Sequence, residues 1–236
     1  MGKELLMAVD LGTSFVKAGI YNLDSECIAL ADEEVKSERP ASGIFIQHGE
    51  ELVQSVLRCI RKVTELVGDR AENVEAIAFT GQMAGFMGVD KDWGDVTGWS
   101  CSLDTRYTPY AEKQMEQMAD KFLAISGTNA PLFSTKYEWF KNDFPQEAER
   151  IAKYMMISVY VIGKLGDVPI EDATMDGSFL AWTGLADIRN RDWSDVICGE
   201  LGVQEKFLPR VSQSNEIVGH LSQASAAATG LKSGIP

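Results

Sequence analysis

The first 36 residues constrain this chain most. Leu5 to Asp10 is an apolar run that ends in the turn sequence Asp10-Leu-Gly-Thr-Ser14. Phe15 to Tyr21 resumes with small and β-branched residues and stops at Asn22-Leu-Asp-Ser25, and a third run spans Cys27 to Lys36. Runs of this length between turn residues read as strands, and connections this short force antiparallel neighbours. The chain therefore opens as a three-stranded meander, expected at the edge of a larger sheet.

After a loop holding Pro40 and Gly43 the apolar period changes. Leu52, Val53, Val56, Leu57, Ile60, Val63, Leu66 and Val67 share one helical face over 50–67, and Gly68 stops it. Strands are predicted at Val74–Thr80 and, after the Gly81–Gly85 turn, at Phe86–Val89. Helices are predicted at Pro109–Ile125, Thr135–Asn142 and Gln146–Lys153, then a core strand at Tyr154–Val159 and helices near Ser194–Leu201 and Leu221–Thr229. A meander followed by β-α-β alternation indicates an α/β fold, a mixed β-sheet with flanking helices. No linker-like composition divides the 236 residues, so they read as one unit.

Charge removes several classes of function. Twenty-two Lys and Arg against 35 Asp and Glu give a net charge of −13, which repels a phosphate backbone, so no nucleic acid partner is expected. The longest apolar stretch, Tyr154–Ile162, is far short of the about 20 residues that cross a bilayer, so no membrane is expected either. Glu4 precedes any apolar run, unlike a signal peptide. Cys27, Cys59, Cys101 and Cys198 are scattered, and with only His48 and His220 beside them zinc spacing is lacking. Isolated thiols of this kind suggest a reduced, cytoplasmic protein.

The sharpest chemical feature is Asp10-Leu-Gly-Thr-Ser14 with Lys17 beyond it. A carboxylate at a strand end can hold hydrated Mg²⁺, Gly12 lets a ligand approach the backbone, and Thr13 and Ser14 can bond phosphate oxygens. The same residues also suit a plain hairpin turn.

The wider pattern resembles the FGGY carbohydrate kinases of the actin-like ATPase (ribonuclease H-like) superfamily, in particular xylulokinase-type members. The segments are Asp10-Leu-Gly-Thr-Ser-x-x-Lys17, Phe79-Thr-Gly-Gln-Met-Ala-Gly85, Asp104-Thr-Arg106, Lys136-Tyr-Glu-Trp139, Arg191-Asp-Trp-Ser-Asp195 and Gly230 to Pro236. They run in family order along nearly the whole chain. The resemblance implies residues 1–236 to be an N-terminal domain that supplies sugar contacts and the first phosphate loop. The C-terminal nucleotide domain and the general base would lie beyond Pro236, leaving this stretch inactive alone.

It also implies ATP and Mg²⁺ as cofactors and a ketose or polyol substrate, modally D-xylulose or a related pentulose, with homodimerisation an open option. Asp10 would position Mg²⁺ and the transferring phosphoryl group, with Gly12, Thr13, Ser14 and Lys17 around the phosphates. Gln82, Met83, Ala84, Trp99 and Asp104 would meet the sugar. A Trp is more often packing, and Asp104 equally suits an acid paired with Arg106.

Three departures fall around the sugar pocket. Ala84 stands where xylulokinase-type members have His, Ser102 where most members have Trp, and Phe133 where a small residue is usual. Trp99-x-Cys101 resembles instead the branch of autoinducer-2 kinases. A sugar- or nucleotide-binding regulator without catalysis is the competing reading.

Overall fold

A computed structural model of the protein describes residues 4–236. Strands β1 (Leu5–Leu11), β2 (Phe15–Asn22) and β3 (Cys27–Glu34) form the expected antiparallel meander. Helix α1 (Gly49–Val67) then carries the chain over to β4 (Val74–Gly81), which pairs with β1 in parallel, as a crossover of this length permits. The sheet order is β3-β2-β1-β4, so the meander supplies three of the four strands of the main sheet and is not an appendage to a larger one.

Alternation fixes which face is covered. Leu5, Met7, Val9 and Leu11 of β1 and Val16, Ala18 and Ile20 of β2 point to one face. Leu52, Val56, Cys59, Ile60 and Val63 of α1 meet them, and every one of these side chains is 3% exposed or less. Burial of each large member stabilises the fold by about 1.5–3 kcal/mol. The α1 N-terminus is held by the Asp95 carboxylate, which accepts from the Gly49 N–H at 2.7 Å. The opposite face carries Asp10, and there Leu6, Phe15 and Leu30 are 42%, 44% and 59% exposed.

The rest of the chain builds a second layer from β5 (Met87–Val89), α2 (Thr108–Lys121), α3 (Leu132–Asp143), α4 (Pro145–Ala148), β6 (Lys153–Met155), α5 (Ile157–Gly166), β7 (Thr174–Asp176), β8 (Ala186–Asp187), β9 (Asp192–Trp193), α6 (Asp195–Leu201), β10 (Arg210–Ser212) and α7 (Gln223–Thr229). Three two-stranded pairs, β5-β6, β7-β10 and β8-β9, brace the helices.

Two expectations need correction. The predicted helix at 146–153 is a single turn, α4, because the Ala152 N–H pairs with the Val89 carbonyl at 2.8 Å and draws the chain into β6. The predicted core strand at 154–159 is strand only to Met155, and α5 begins at Ile157. Residues Ile157 to Val161 are all buried, so this helix shows no polar face whose period could betray it. No helix among the described residues is long and apolar enough to cross a membrane.

Candidate functional site

The parallel strands β1 and β4 end side by side, and in open α/β sheets ligands gather beyond such strand ends. Asp10, half-buried, sits at the end of β1 directly opposite Lys17 on β2 and Thr80 on β4, so the three residues share the open face. Beyond Asp10 the chain turns tightly. A Cβ built on Gly12 would lie 2.5 Å from the Phe15 carbonyl oxygen, so no other residue fits without moving the turn. The exposed Ser14 completes it, its carbonyl accepting from the Val35 N–H at 2.9 Å.

The turn after β4 locks onto the turn after β1. Gly81, at φ +155°, lets the backbones close up: a Cβ there would lie 2.5 Å from that of Leu11. The Gln82 N–H then donates to the Leu11 carbonyl at 3.0 Å. The Gln82 side chain reaches Thr13, Gly12, Gln47 and Trp99. Met83 is 48% exposed beside it, and Ala84 is buried in the left-handed region at φ +58°. Gly85 is required by Trp99, whose ring would lie 2.1 Å from an added Cβ.

Trp99 offers a sugar no exposed surface. Its ring is 0% exposed and packs on Gly85, and its indole N–H donates to Gln82 Oε1 at 3.0 Å. Asp104 is also 0% exposed and belongs to a different cluster. Its carboxylate accepts from the Arg106 guanidinium at 2.5–3.2 Å and from the Arg106 backbone N–H at 3.2 Å. Asp104 precedes α2, which starts at Thr108, rather than opening it.

Next to this pair lies Lys136 on α3, with no exposed surface. Its ammonium donates to the Ser100 carbonyl, the Ser100 hydroxyl and the Cys101 carbonyl at 2.8, 2.9 and 2.5 Å, so all three donors are used. Burial pulls its pKa down to about 7, against the upward pull of the Asp104 charge. Arg106 stacks on Trp139 at 4.6 Å. Lys136, Trp139, Asp104 and Arg106 thus fix the 100–107 segment to α3.

The residues brought together are Asp10, Gly12, Thr13, Ser14, Lys17, Gln82, Met83 and Ala84, with Trp99 behind them. Sequence reasoning missed Gln47, 1% exposed, which bonds Thr13 and Gln82. The signal was an uncharged polar residue directly after Phe45-Ile46, where a core position is expected; the neighbouring His48 is exposed and pairs with Glu38 at 3.1 Å. No group of three or more His, Cys, Asp or Glu among the described residues is arranged for a metal, so Asp10 is not part of a protein-only metal cage. That suits Mg²⁺, which typically takes one or two carboxylates and completes its shell with water and substrate phosphates. A groove of about 360 Å³ lies elsewhere, along the outer edge of β4, where the Ile77 N–H donates to the Pro236 carbonyl.

The four-stranded mixed sheet with its helical layers is the actin-like ATPase fold. The xylulose kinase of Rhodospirillum rubrum superposes with a TM-score of 0.90 at 17% identity, over 99% of this chain and 48% of that one. Residues 5–236 match the N-terminal domain of the FGGY family of carbohydrate kinases, and the chain belongs to that family. Among curated relatives, the xylulose kinase of Bacillus subtilis is 26% identical over 230 residues, covering 97% of this chain and 45% of the relative. The L-fuculokinase of Escherichia coli K12 is 27% identical over 248 residues, covering 100% and 50%. The chain spans about half the length of the curated relatives it matches.

Proposed function

We propose that this chain is the sugar-binding half of an ATP-dependent carbohydrate kinase, which transfers a phosphoryl group to a hydroxyl of a ketose or polyol. The observation that carries the reading is the placement of Asp10 and the Gly12–Ser14 turn at the paired ends of β1 and β4, with the Gln82–Ala84 turn alongside. Phosphoryl transfer asks the protein chiefly for positioning and charge neutralisation. Asp10 offers its carboxylate to Mg²⁺, which when bound neutralises phosphate charge. Backbone N–H groups of the tight turn and the exposed Ser14 and Lys17 face the phosphates, while Met83 and Ala84 border the sugar. The adenine pocket and the general base belong to a C-terminal half.

The modal substrate is D-xylulose or a related pentulose. Ala84 leaves room where xylulokinase-type members carry a His, so a larger ketose or an autoinducer-2-like compound is the next choice. The cytoplasm is the expected compartment. The four cysteines are unpaired, and burial pushes Cys59 and Cys198 up to about 11, so these thiols stay protonated.

The test is Mg²⁺-dependent ADP release by the full-length product of the gene, across pentuloses, hexuloses, polyols and autoinducer-2. Saturable release with one compound names the substrate. Sugar-dependent thermal stabilisation without release by any compound would favour the non-catalytic binding protein instead.

A further inference from the structure

Of the side chains expected to meet the sugar, the structure withdraws Gln82, Trp99 and Asp104. Gln82 turns inward, its Oε1 on the Trp99 indole N–H at 3.0 Å and its Nε2 on Gln47 Oε1 at 2.9 Å. Trp99 and Asp104 are both 0% exposed, and the Asp104 carboxylate is held by Arg106. What remains is Ala84, with little surface, and Met83, 48% exposed. The polar side chains around the sugar turn serve the protein itself, and the side chain the turn offers outward is a thioether.

Leu103 adds a second apolar group on the same side. Phe86 and Ser100 exchange both backbone bonds at 3.0 Å, so the chain before Phe86 and the chain after Ser100 leave this antiparallel bridge at one end. Met83 and Leu103 both lie at that end. Leu103 sits at the tip of a turn that the Asp104 N–H closes on the Cys101 carbonyl at 3.1 Å, and it is 51% exposed. Ser102, exposed beside it, adds a single hydroxyl, while the Arg106 guanidinium is engaged by Asp104 and the Trp139 ring. A hydroxyl laid against Met83 and Leu103 loses water and gains no partner, whereas a methyl group gains from the same contact.

We infer that the acceptor is a deoxyketose, whose methyl or methylene carbon rests on Met83 and Leu103. The phosphorylated hydroxyl must point to the Asp10 turn, so the deoxygenated carbon is at the other end of the acceptor. The inference rests on the kinase reading of the 10–14 turn and narrows its acceptor. The other hydroxyls are left to Ser102, to backbone groups of the 82–84 turn and to the C-terminal half.

The experiment measures kcat/KM of the full-length gene product for ketose pairs that differ by one hydroxyl. The pairs are 1-deoxy-D-xylulose against D-xylulose and 6-deoxy-L-tagatose against L-tagatose. Met83→Gln and Leu103→Gln are measured beside the wild type, with the fold checked by Tm. In the pair that reacts, the deoxy member is expected to lead by about 10–100-fold, the range that an apolar contact discriminates. Each Gln variant should cut that ratio several-fold, gaining turnover with the hydroxylated member while losing it with the deoxy one. A merely damaged fold would lower both together and leave the ratio unchanged. Equal turnover of the two members, or a lead for the hydroxylated one, overturns the inference and leaves the kinase reading standing. A deoxy preference that both Gln variants keep also overturns it, because the apolar contact then lies elsewhere. No ADP release with these pairs or with any compound of the wider panel removes the kinase reading, and the inference with it.

Discussion

Two buried polar clusters meet at residues 99–101 and hold them by different physics. On one side Thr13, Gln47, Gln82 and Trp99 form a neutral network of amide, hydroxyl and indole groups. On the other, Lys136, Asp104 and Arg106 bring two cations and one carboxylate together, with Lys136 and Asp104 both 0% exposed. The neutral cluster ties the 12–13 turn to residues 47, 82 and 99 through groups that do not titrate near neutral pH. The charged cluster fixes the segment behind it and carries a lysine lowered to about 7. A turn held by amides keeps one geometry as pH varies, whereas a cluster built on a buried lysine and an ion pair does not. The division of labour here follows that logic.

The widest gap between the clusters should come from Asp104→Ala. It leaves Arg106 and Lys136 without their carboxylate, and breaking a buried ion pair costs about 3–5 kcal/mol. Chemical denaturation of the chain measures this. Unchanged stability with lost sugar binding would return Asp104 to the ligand site.

Next is a pH effect confined to the charged side. Lys136 has a lower pKa folded, about 7, than its ordinary 10.5, so between these values the unfolded chain binds the extra proton. Stability from this group therefore rises with pH above 7, by up to about 1.4 kcal/mol per pH unit. Measured between pH 7 and 8, below the ordinary thiol pKa of about 8.5 that the buried cysteines regain on unfolding, this rise should vanish in Lys136→Met and persist in Gln82→Met. A rise that survives in Lys136→Met would assign it to another group.

Gln82→Met itself leaves the buried Trp99 N–H and Gln47 Oε1 without a partner and should cost about 1–3 kcal/mol. A neutral result would mean that water takes over those bonds. The smallest effect is expected at Ala84, whose φ of +58° strains a residue with a Cβ. Ala84→Gly should stabilise by about 1 kcal/mol, read as a rise in Tm.

The same contrast explains what was legible in the sequence. Elements with one covered face were plain: the short runs of β1 and β2 cut by turn residues, and the apolar stripe of α1, each bury one side. Helix α5 was not, because a segment buried all round loses its period. At the site, the turn at Gly12 was legible because its geometry is local. The fate of Gln82, Trp99 and Asp104 was not, since each is decided by a partner elsewhere. A Trp is more often core than a sugar platform, and Trp99 stands as the best candidate for an exception until Gly85 makes space for its ring and Gln82 takes its N–H. Asp104 was ambiguous in the same way, and Arg106 with Lys136 resolves it. Gln47 escaped notice because a lone glutamine announces no chemistry, although two of its bonds hold the turn.

The most direct test of the account is steady-state ADP release by the full-length gene product carrying Asp10→Asn, with its fold checked by circular dichroism. The account predicts kcat lower by at least about 10²–10³-fold, the scale of losing one charge-stabilising group in phosphoryl or acyl transfer, with stability near wild type. Turnover within a few-fold of wild type would show that the transferred phosphoryl group is positioned elsewhere and would contradict the assignment of the 10–14 turn.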